Sequence, residues 1–504
     1  MSKRSNDRLF VDIMSASPEV TGSCLFCTIH YPDSKKNEHF VVDCGLFQEP
    51  EYVSYNYSLF FDPANVDYLM VTHNHIDHIG QIPYLVKKGL RCPIYTTFDT
   101  KALMPIALED CYNVALQNCK KKKKKDTVSV QSKSAKSVRK AHALSGNKYS
   151  PMYNLDDIKK TEKLTVGCPY DTTFKLSKNV SVTFFKNAHL IGAALILFQV
   201  KFEEQQVNLL FTGDYGVKST FFDPVVIPQW VWDLPSLSVV CESTYGSTDR
   251  KDVVPCFEKG LLDFIAKHPN DAQVLIPVIS LERSQILQQQ IRSMQDRGLI
   301  DPAMEVYLDG KLTIRYNTLF EGGLLTSADP EKLANFIPHN LKYVSKKNRG
   351  SLFANDTPKI VLASSGMGTF GPSQSHIKTL LPKPNGLIFF TCYCAVNTFG
   401  RKLLDSANEV AVNIGKESIV KRASVLFTRQ YSSHAKRDEL IALLQCFKHL
   451  VFVAVTHGES KVKTIFEQSV IDEVQPDYVG ILSREIYYRI FSSGEVKSYG
   501  TKFK

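Results

Sequence analysis

The sequence contains no run of about 18 or more apolar residues, the length that a helix needs to cross a bilayer. We therefore expect no membrane span. The first residues, Met1 to Asp7, also lack the apolar centre of a secretory signal peptide. Together these features predict a protein inside a cell, in the cytoplasm or, in a eukaryote, in the nucleus.

The sequence has only one Cys-x-x-Cys pair, Cys24 and Cys27, among its twelve scattered cysteines. No second pair is present to complete a zinc knuckle, and the segment around the first pair is apolar and typical of a strand. We interpret the cysteines as buried, reduced thiols. The sequence also shows no internal repeat.

Positive charge exceeds negative charge by 10 in the 504 residues, which favours a polyanionic partner. Part of the excess is local, because Lys120 to Lys125 are six lysines in a row. With the Ser-rich segment that follows, they predict an insertion over residues 120–146 that is solvated, disordered or partly helical. The insertion is either a flexible surface loop or a positively charged segment that binds nucleic acid, in which case salt would weaken the binding.

Four candidate metal ligands, three histidines and one aspartate, lie within six positions, from His73 to His78. The run follows the apolar stretch Tyr68–Val71 and precedes a predicted helix, so it lies where a buried strand turns into a helix. Neutral imidazole suits zinc, and a carboxylate adds charge for a second cation. Because four ligands from one loop crowd a single metal, the spacing favours two adjacent metals over two pairs of surface histidines.

Further candidate ligands follow other predicted strands, at His189, Asp214 and His457. A lone histidine is more often structural, and a lone aspartate more often forms a turn. Strand ends of one sheet, however, lie along one edge and can face a common site. Recurrence at strand ends therefore predicts that these residues join the cluster at His73 to His78.

Apolar periodicity divides the chain into two kinds of region. Strand patterns dominate the first 245 residues and the last 85, whereas helices and strands alternate between about residues 255 and 409. Such alternation predicts an α/β unit with a largely parallel sheet. The predicted helices and strands include Phe10–Met14, Thr100–Cys119, Val180–Phe185, Gln273–Val278, Arg283–Met294, Lys359–Ala363, Leu450–Thr456 and Asp438–Lys448.

On these motifs the chain resembles the metallo-β-lactamase-fold hydrolases and, within them, the β-CASP nucleases. That group includes the endonuclease subunit of the eukaryotic pre-mRNA 3′-end cleavage factor and its bacterial and archaeal relatives. The family motifs match Asp43, His73-Asn74-His75-Ile76-Asp77-His78, His189 and Asp214, followed by Glu242 (motif A), His434 (motif B) and His457 (motif C). The resemblance covers nearly the whole chain and leaves the lysine insertion unexplained.

The resemblance implies an α/β fold, a metallo-β-lactamase αββα sandwich with an inserted α/β β-CASP domain. The sandwich would be formed by residues 1–245, which include the insertion 120–146, and by residues 420–504. The β-CASP domain would span residues 246–419 and cap the metal cleft. A narrow groove there would favour single-stranded nucleic acid.

The resemblance also implies two Zn²⁺ ions per chain and a role for each motif residue. His73, His75 and His189 would hold one zinc, Asp77, His78 and His457 the other, and Asp214 would bridge them. Asp43 would orient a ligand histidine and fix its tautomer. The catalytic residues would be Asp77, His434 as general acid and Glu242 as its partner, with phosphate contacts from Arg283, Ser364, Ser365 and Arg401. A phosphate-binding or purely structural His434 remains the alternative.

Three loops depart from the family pattern, all on the substrate side. They are Cys392–Asn397, Gly368–Pro372 and Ser247–Arg250. These departures bear on substrate fit and cleavage rate rather than on metal binding.

The leading hypothesis is a zinc-dependent ribonuclease that hydrolyses single-stranded RNA in RNA processing or decay. Endonucleolytic cleavage is favoured, and 5′→3′ exonuclease activity is left open. The alternatives are a DNA-directed β-CASP nuclease and a non-catalytic RNA-binding partner subunit. His457 favours RNA, because DNA-processing groups often have valine at motif C. A homodimer or a partner in a processing complex is left open, and no membrane partner is expected.

Overall fold

The computed structural model describes residues 8–32, 34, 36–130, 150–222, 224–249, 256–395, 398–415 and 417–501, with side chains to residue 121 in the helix that ends at Val130. Two compact units are formed. One contains residues 1–217, 225–250 and 434–504, and the other contains residues 218–224 and 251–433. No described helix is both long and apolar enough to cross a membrane.

The first unit contains two β-sheets. The eight strands of the first sheet are β1 (Phe10–Ser15), β2 (Leu25–His30), β3 (Glu38–Val42), β4 (Tyr68–Met70), β5 (Ile94–Thr97), β6 (Thr165–Cys168), β22 (Ile486–Phe491) and β23 (Val496–Gly500), in the order β23-β22-β1-β2-β3-β4-β5-β6. The seven strands of the second are β7 (Thr173–Lys175), β8 (Val180–Lys186), β9 (Ala194–Phe202), β10 (Gln205–Phe211), β11 (Leu237–Glu242), β20 (Leu450–Thr456) and β21 (Tyr478–Ile481), in the order β21-β20-β11-β10-β9-β8-β7.

The two sheets pack face to face through one apolar core. Phe40 on β3 stacks on Phe198 of β9 with ring centroids 4.0 Å apart, and Phe211 of β10 meets the Phe40 ring edge-on. All three side chains are fully buried. Each buried aromatic side chain removes a large apolar area from water, so these rings contribute strongly to the folding free energy of the core.

Helices cover the outer face of each sheet. Those of this unit are α1 (Ile76–Ile79), α2 (Ile82–Lys87), α3 (Phe98–Val130), α4 (Leu155–Leu164), α5 (Gln229–Trp232), α12 (Arg437–Gln445) and α13 (Ser460–Glu473). Helices α1 to α4 pack on the first sheet, and α5, α12 and α13 pack on the second. The layers are therefore helix, sheet, sheet, helix, which confirms the predicted αββα sandwich.

The second unit is built on a six-stranded parallel sheet. Its strands are β12 (Gln273–Pro277), β13 (Glu305–Asp309), β14 (Leu341–Tyr343), β15 (Lys359–Ala363), β16 (Gly386–Phe390) and β19 (Ser424–Phe427), in the order β14-β13-β15-β12-β16-β19. Its helices are α6 (Phe257–Lys267), α7 (Arg283–Asp296), α8 (Lys311–Glu321), α9 (Pro330–Ala334), α10 (Gly371–Leu380) and α11 (Phe399–Asp405), and β17 (Ala411–Ile414) pairs with β18 (Glu417–Val420). Because helices cover the faces of this sheet, its strands consist largely of apolar residues.

Sequence periodicity placed most of the elements that it predicted, roughly half of those observed, within a few residues of their observed bounds. The largest difference is α3, predicted over Thr100–Cys119 but continuing to Val130. Lysine is a good helix former, so Lys120–Lys125 can extend the helix despite their mutual repulsion. The rest of the predicted insertion, residues 131–146, lies outside the described residues. The buried strand β11 was not predicted.

A buried ion pair in the second unit should contribute strongly to its stability. Asp309, at the end of β13, accepts hydrogen bonds from Arg349 at 2.6 and 2.7 Å and lies 2.7 Å from His376 Nε2. Burial raises the pKa of Asp309, but Arg349 and His376 outweigh that effect and lower it. The carboxylate therefore contributes stability above its ordinary pKa, and that contribution is lost as the pH falls through the lowered value.

We expect Asp309→Asn to lower the free energy of unfolding at neutral pH by about 3–5 kcal/mol, because Arg349 keeps a charge with no counterion. A urea titration measures this. Asp356→Asn is the matched control, since Asp356 forms an exposed ion pair with Lys383 and surface pairs contribute little. Equal stability of the two variants would contradict the expectation.

Candidate metal centre and its histidine–glutamate pair

The turns that follow β3, β4, β8, β10 and β20 bring the predicted ligands and Asp43 together within the first unit. His73 and His75 lie in the turn after β4, and Asp77 and His78 lie on the single-turn helix α1 that follows. Asp43 and His457 leave their strands with φ angles of 59° and 50°. This left-handed conformation is uncommon outside glycine, although aspartate and histidine adopt it more readily than most residues.

Gly45 allows the turn after β3 to lie against helix α1. A Cβ atom at this position would be 1.5 Å from the carbonyl oxygen of Asp77. The close approach is fixed by backbone hydrogen bonds from Ser23 to Asp77 and from Cys44 to His78, at 2.9 and 2.7 Å. The Asp-Cys-Gly sequence thereby positions both α1 ligands and Asp43.

The first ligand group consists of His73, His75, His189 and Asp214. His75 Nδ1 lies 3.1 Å from both His73 Nε2 and His189 Nε2. Asp214 Oδ2 is 3.5 Å from His73 Nε2 and 3.6 Å from His189 Nε2. Donors arranged tetrahedrally at zinc–nitrogen distances of 2.0–2.1 Å would stand roughly 3.3 Å apart. The four side chains therefore fit one metal ion.

The second group consists of Asp77, His78 and His457, with Asp214 beside it. His78 Nε2 is 3.3 Å from His457 Nε2 and 3.2 Å from Asp214 Oδ1, and His457 Nε2 is 3.8 Å from Asp77 Oδ2. Asp214 thus offers one carboxylate oxygen to each group. Such a shared carboxylate fits a pair of adjacent cations.

Hydrogen bonds behind the cluster point the histidine lone pairs inward. Asp43 Oδ2 lies 2.8 Å from His78 Nδ1 and also accepts the Thr72 hydroxyl at 2.7 Å. Because the Thr72 proton goes to Asp43, its oxygen accepts from His73 Nδ1, 3.0 Å away. In its neutral form each of the two histidines then carries its proton on Nδ1 and presents the Nε2 lone pair to a metal. Asp43 lies where a tautomer-fixing residue was predicted.

Three positioning residues were not identified from the sequence. Thr72 links Asp43 to His73, as described above. Thr244 Oγ1 lies 3.0 Å from His457 Nδ1. The Asn187 side chain accepts from the His189 backbone N–H and donates to the Asp214 carbonyl, which ties two ligand turns together. Each of the three lies within two residues of a motif residue, and this proximity was the feature of the sequence that could have identified them.

The electrostatics of the cluster favour bound cations. Burial alone would lower the pKa of His78, but Asp214 and Asp43 raise it well above its ordinary value. Burial lowers the pKa of His73 and of His189. Burial would raise the pKa of Asp214, yet the surrounding histidines hold it well below its ordinary value. Asp214 is thus ionised and His73 and His189 are neutral, the forms that metals bind, whereas the two carboxylates favour the charged form of His78 until a metal displaces its proton.

His434 lies beside the ligand cluster and is held by Glu242. Its Nδ1 atom is 3.1 Å from both Glu242 carboxylate oxygens, and its Nε2 atom is 3.9 Å from Asp214 Oδ2. Glu242 is fully buried and also accepts the backbone N–H groups of Tyr215 and Thr244. Burial would lower the pKa of His434, but Glu242, with Asp214 and Asp77 farther off, raises it to about 9. The imidazole is therefore protonated at neutral pH.

The four predicted phosphate contacts lie in the second unit. The Arg283 guanidinium donates to the carbonyl oxygens of Thr391 and Tyr431 and is 9% exposed. Arg401 is exposed and pairs with Asp405, 2.8 Å away on the same helix. Ser364 and Ser365 are half-buried at the end of β15. Phosphate binding by these residues stays a prediction, and Asn397 in the neighbouring altered loop lies outside the described residues.

Comparisons with known proteins match three parts of the chain to domain families. Residues 31–104 match the metallo-beta-lactamase superfamily, residues 282–403 the Beta-Casp domain and residues 418–478 the Zn-dependent metallo-hydrolase RNA specificity domain. Metallo-β-lactamase relatives are metal-dependent, which agrees with the side-chain cluster described above.

Two curated relatives align over most of the chain. Transcription termination factor FttA of Methanocaldococcus jannaschii is 28% identical over 484 residues, which cover 89% of this chain and 67% of that protein. A ribonuclease of Thermus thermophilus is 27% identical over 456 residues, which cover 88% of this chain and 92% of that protein.

Proposed function

We propose a ribonuclease function for this chain, which belongs to the β-CASP branch of the metallo-β-lactamase superfamily. The substrate would be single-stranded RNA, and the reaction would be hydrolysis of its phosphodiester bonds. The RNA specificity domain match and the similar Thermus ribonuclease support RNA as the substrate. The observation that carries the proposal is that Asp214 lies between two ligand groups, with the His434–Glu242 pair beside them.

The cofactors would be two Zn²⁺ ions. His73, His75 and His189 would hold one ion, Asp77, His78 and His457 would hold the other, and Asp214 would bridge them. A set of five imidazoles and two carboxylates is typical of zinc, and neutral imidazole excludes calcium and magnesium as good fits. When bound, the metal pair supplies Lewis acidity toward the phosphate and lowers the pKa of water.

Residues of the chain itself would protonate the leaving group. Hydrolysis forms a bond between a water oxygen and phosphorus and breaks the bond between phosphorus and the ribose 3′ oxygen. His434 Nε2 would donate its proton to that oxygen, giving a 3′ hydroxyl and a 5′ phosphate. Glu242 keeps the imidazole charged and oriented, which is the task of a partner to a general acid.

Cutting of circular RNA tests the endonucleolytic mode. We expect the purified, zinc-loaded protein to linearise a circular single-stranded RNA, because an endonuclease needs no chain end. A time course with end-labelled RNAs carrying 5′-triphosphate or 5′-monophosphate runs in parallel. Preference for the 5′-monophosphate with intact circles would instead indicate a 5′→3′ exonuclease, and cleavage of DNA alone would contradict the RNA assignment.

A further inference from the structure

Aromatic side chains are exposed at the carboxyl edge of the parallel sheet in the second unit. Phe370 lies in the loop between β15 and α10, and its side chain is 67% exposed. The other exposed aromatic side chains in the described part of the chain have lower exposed fractions. Tyr393, in the loop that follows β16, is 42% exposed. Since strands β15 and β16 both flank β12 in parallel, their loops leave the same edge of the sheet.

The backbone that carries Phe370 is firmly held. The carbonyl oxygen of Phe370 accepts a hydrogen bond from the Ser365 hydroxyl at 3.3 Å, and the Ser373 hydroxyl donates to the carbonyl oxygen of Ser365 at 2.8 Å. The Gln374 side chain donates to the carbonyl oxygen of Thr369 at 2.6 Å. An exposed ring on a fixed backbone loses little conformational freedom when a ligand packs on it.

The two aromatic loops are joined to each other. The backbone N–H of Gly400 donates to the carbonyl oxygen of Met367 at 2.9 Å. A Cβ atom at Gly400 would lie 2.8 Å from that oxygen and 2.7 Å from Cys394 Sγ, so only glycine allows this contact. The loop that carries Phe370 is therefore in contact with the start of the helix that follows the Tyr393 loop.

The charge of this surface suits a polyanion. Residues 364–370 and 391–402 contain no acidic residue, and the second segment ends with two exposed cations, Lys402 and Arg401, of which Arg401 pairs with Asp405. Helix α10 also begins here, directly after Phe370, and helix N-termini favour negative groups. Exposed aromatic rings beside positive charge are the features that bind single-stranded nucleic acid through base stacking and phosphate attraction.

We propose that Phe370 is a base-stacking residue for single-stranded RNA, with Tyr393 as a second ring on the same surface. The proposal rests on the ribonuclease function above and adds the residue that contacts the bases. Every base has a flat aromatic face, so stacking would give affinity with little preference for sequence. Single exposed apolar residues are common on proteins; what sets Phe370 apart is the fixed loop, the neighbouring Tyr393 and the local positive charge.

Binding of a fluorescent single-stranded RNA, measured by anisotropy with a chelator present to prevent cleavage, tests the proposal. We expect Phe370→Ala to weaken binding about 5- to 100-fold, the range that loss of one stacked base gives. Phe370→Trp should restore binding and Phe370→Leu should not, since leucine keeps apolar bulk without a ring. Tyr57→Ala is the matched control, because Tyr57 is 63% exposed in the first unit.

A series of RNAs with one abasic nucleotide each identifies the stacked position. In the unsubstituted protein one abasic position should weaken binding, and in Phe370→Ala the same position should have no further effect. Additive losses at every position, or Phe370→Ala binding like Tyr57→Ala while the protein still cleaves RNA, would overturn the stacking role alone. A protein that neither binds nor cleaves RNA would overturn the ribonuclease function, and this inference with it.

Discussion

Replacement of His75 or Asp77 by alanine is expected to reduce RNA cleavage below detection. His75 supplies the Nδ1 atom that lies 3.1 Å from both other imidazoles of the first ligand group. Asp77 supplies the carboxylate of the second group, and the cluster holds its pKa at about 2, so it is ionised at any working pH. Burial opposes that ionisation, but the neighbouring imidazoles of His457, His78 and His75 together outweigh it. Removal of either ligand leaves a metal without its full set of donors.

The fold should survive both substitutions. His75 and Asp77 are only half-buried, and neither side chain caps helix α1. Far-UV circular dichroism should therefore match that of the unsubstituted protein, while zinc analysis by mass spectrometry should show less than two ions per chain. His268→Ala, a histidine that pairs with Asp271 in the second unit, is the matched control and should cleave normally. Full activity in the metal-analysed double variant would exclude this centre as the active site.

Replacement of His434 by alanine is also expected to reduce the rate of RNA cleavage strongly. Loss of a general acid typically lowers turnover by about 10²- to 10⁴-fold. His434 lies 3.9 Å from Asp214 rather than among the ligand atoms, so the zinc content should not change. The measurement is single-turnover cleavage at saturating RNA, with zinc analysis of the same preparation.

A modified substrate separates a proton donor from a phosphate-binding histidine. A 3′-bridging phosphorothiolate has a sulfur leaving group that needs no proton. His434→Ala should therefore cleave it nearly as fast as the unsubstituted protein does. Glu242→Gln should show the same selective defect in weaker form, because it removes the charge that keeps His434 protonated. An equal loss on both substrates would assign His434 to phosphate binding instead.

The chemistry of the centre could be predicted from local sequence. Ligand spacing is set by a few consecutive residues, as in the run from His73 to His78, and the turn Asp43-Cys44-Gly45 is equally local. Apolar periodicity located β8, β9 and β12 for the same reason, since alternation and apolar runs reflect burial of neighbouring residues. Matches to the family models agree with the predicted fold class and enzyme class.

Long-range geometry could not be predicted in the same way. Asp214 and His457 are 243 positions apart, yet their atoms lie 3.3 Å from each other because β10, β11 and β20 are neighbours in one sheet. No local pattern shows that Asp214 faces both ligand groups or that Thr72 relays a hydrogen bond from Asp43. The exposure of Phe370 likewise depends on how its loop is held in the folded chain.

Residue identity thus determined which chemistry this protein can perform, because imidazole and carboxylate have fixed affinities for metals and protons wherever they lie. Strand order and the turns at strand ends decided whether those groups meet, because distance and burial arise only when remote segments pack together. The raised pKa of His434 shows the division clearly. Its imidazole was visible in the sequence, but the buried Glu242 that keeps it charged lies 192 positions away and reaches it only in the folded chain.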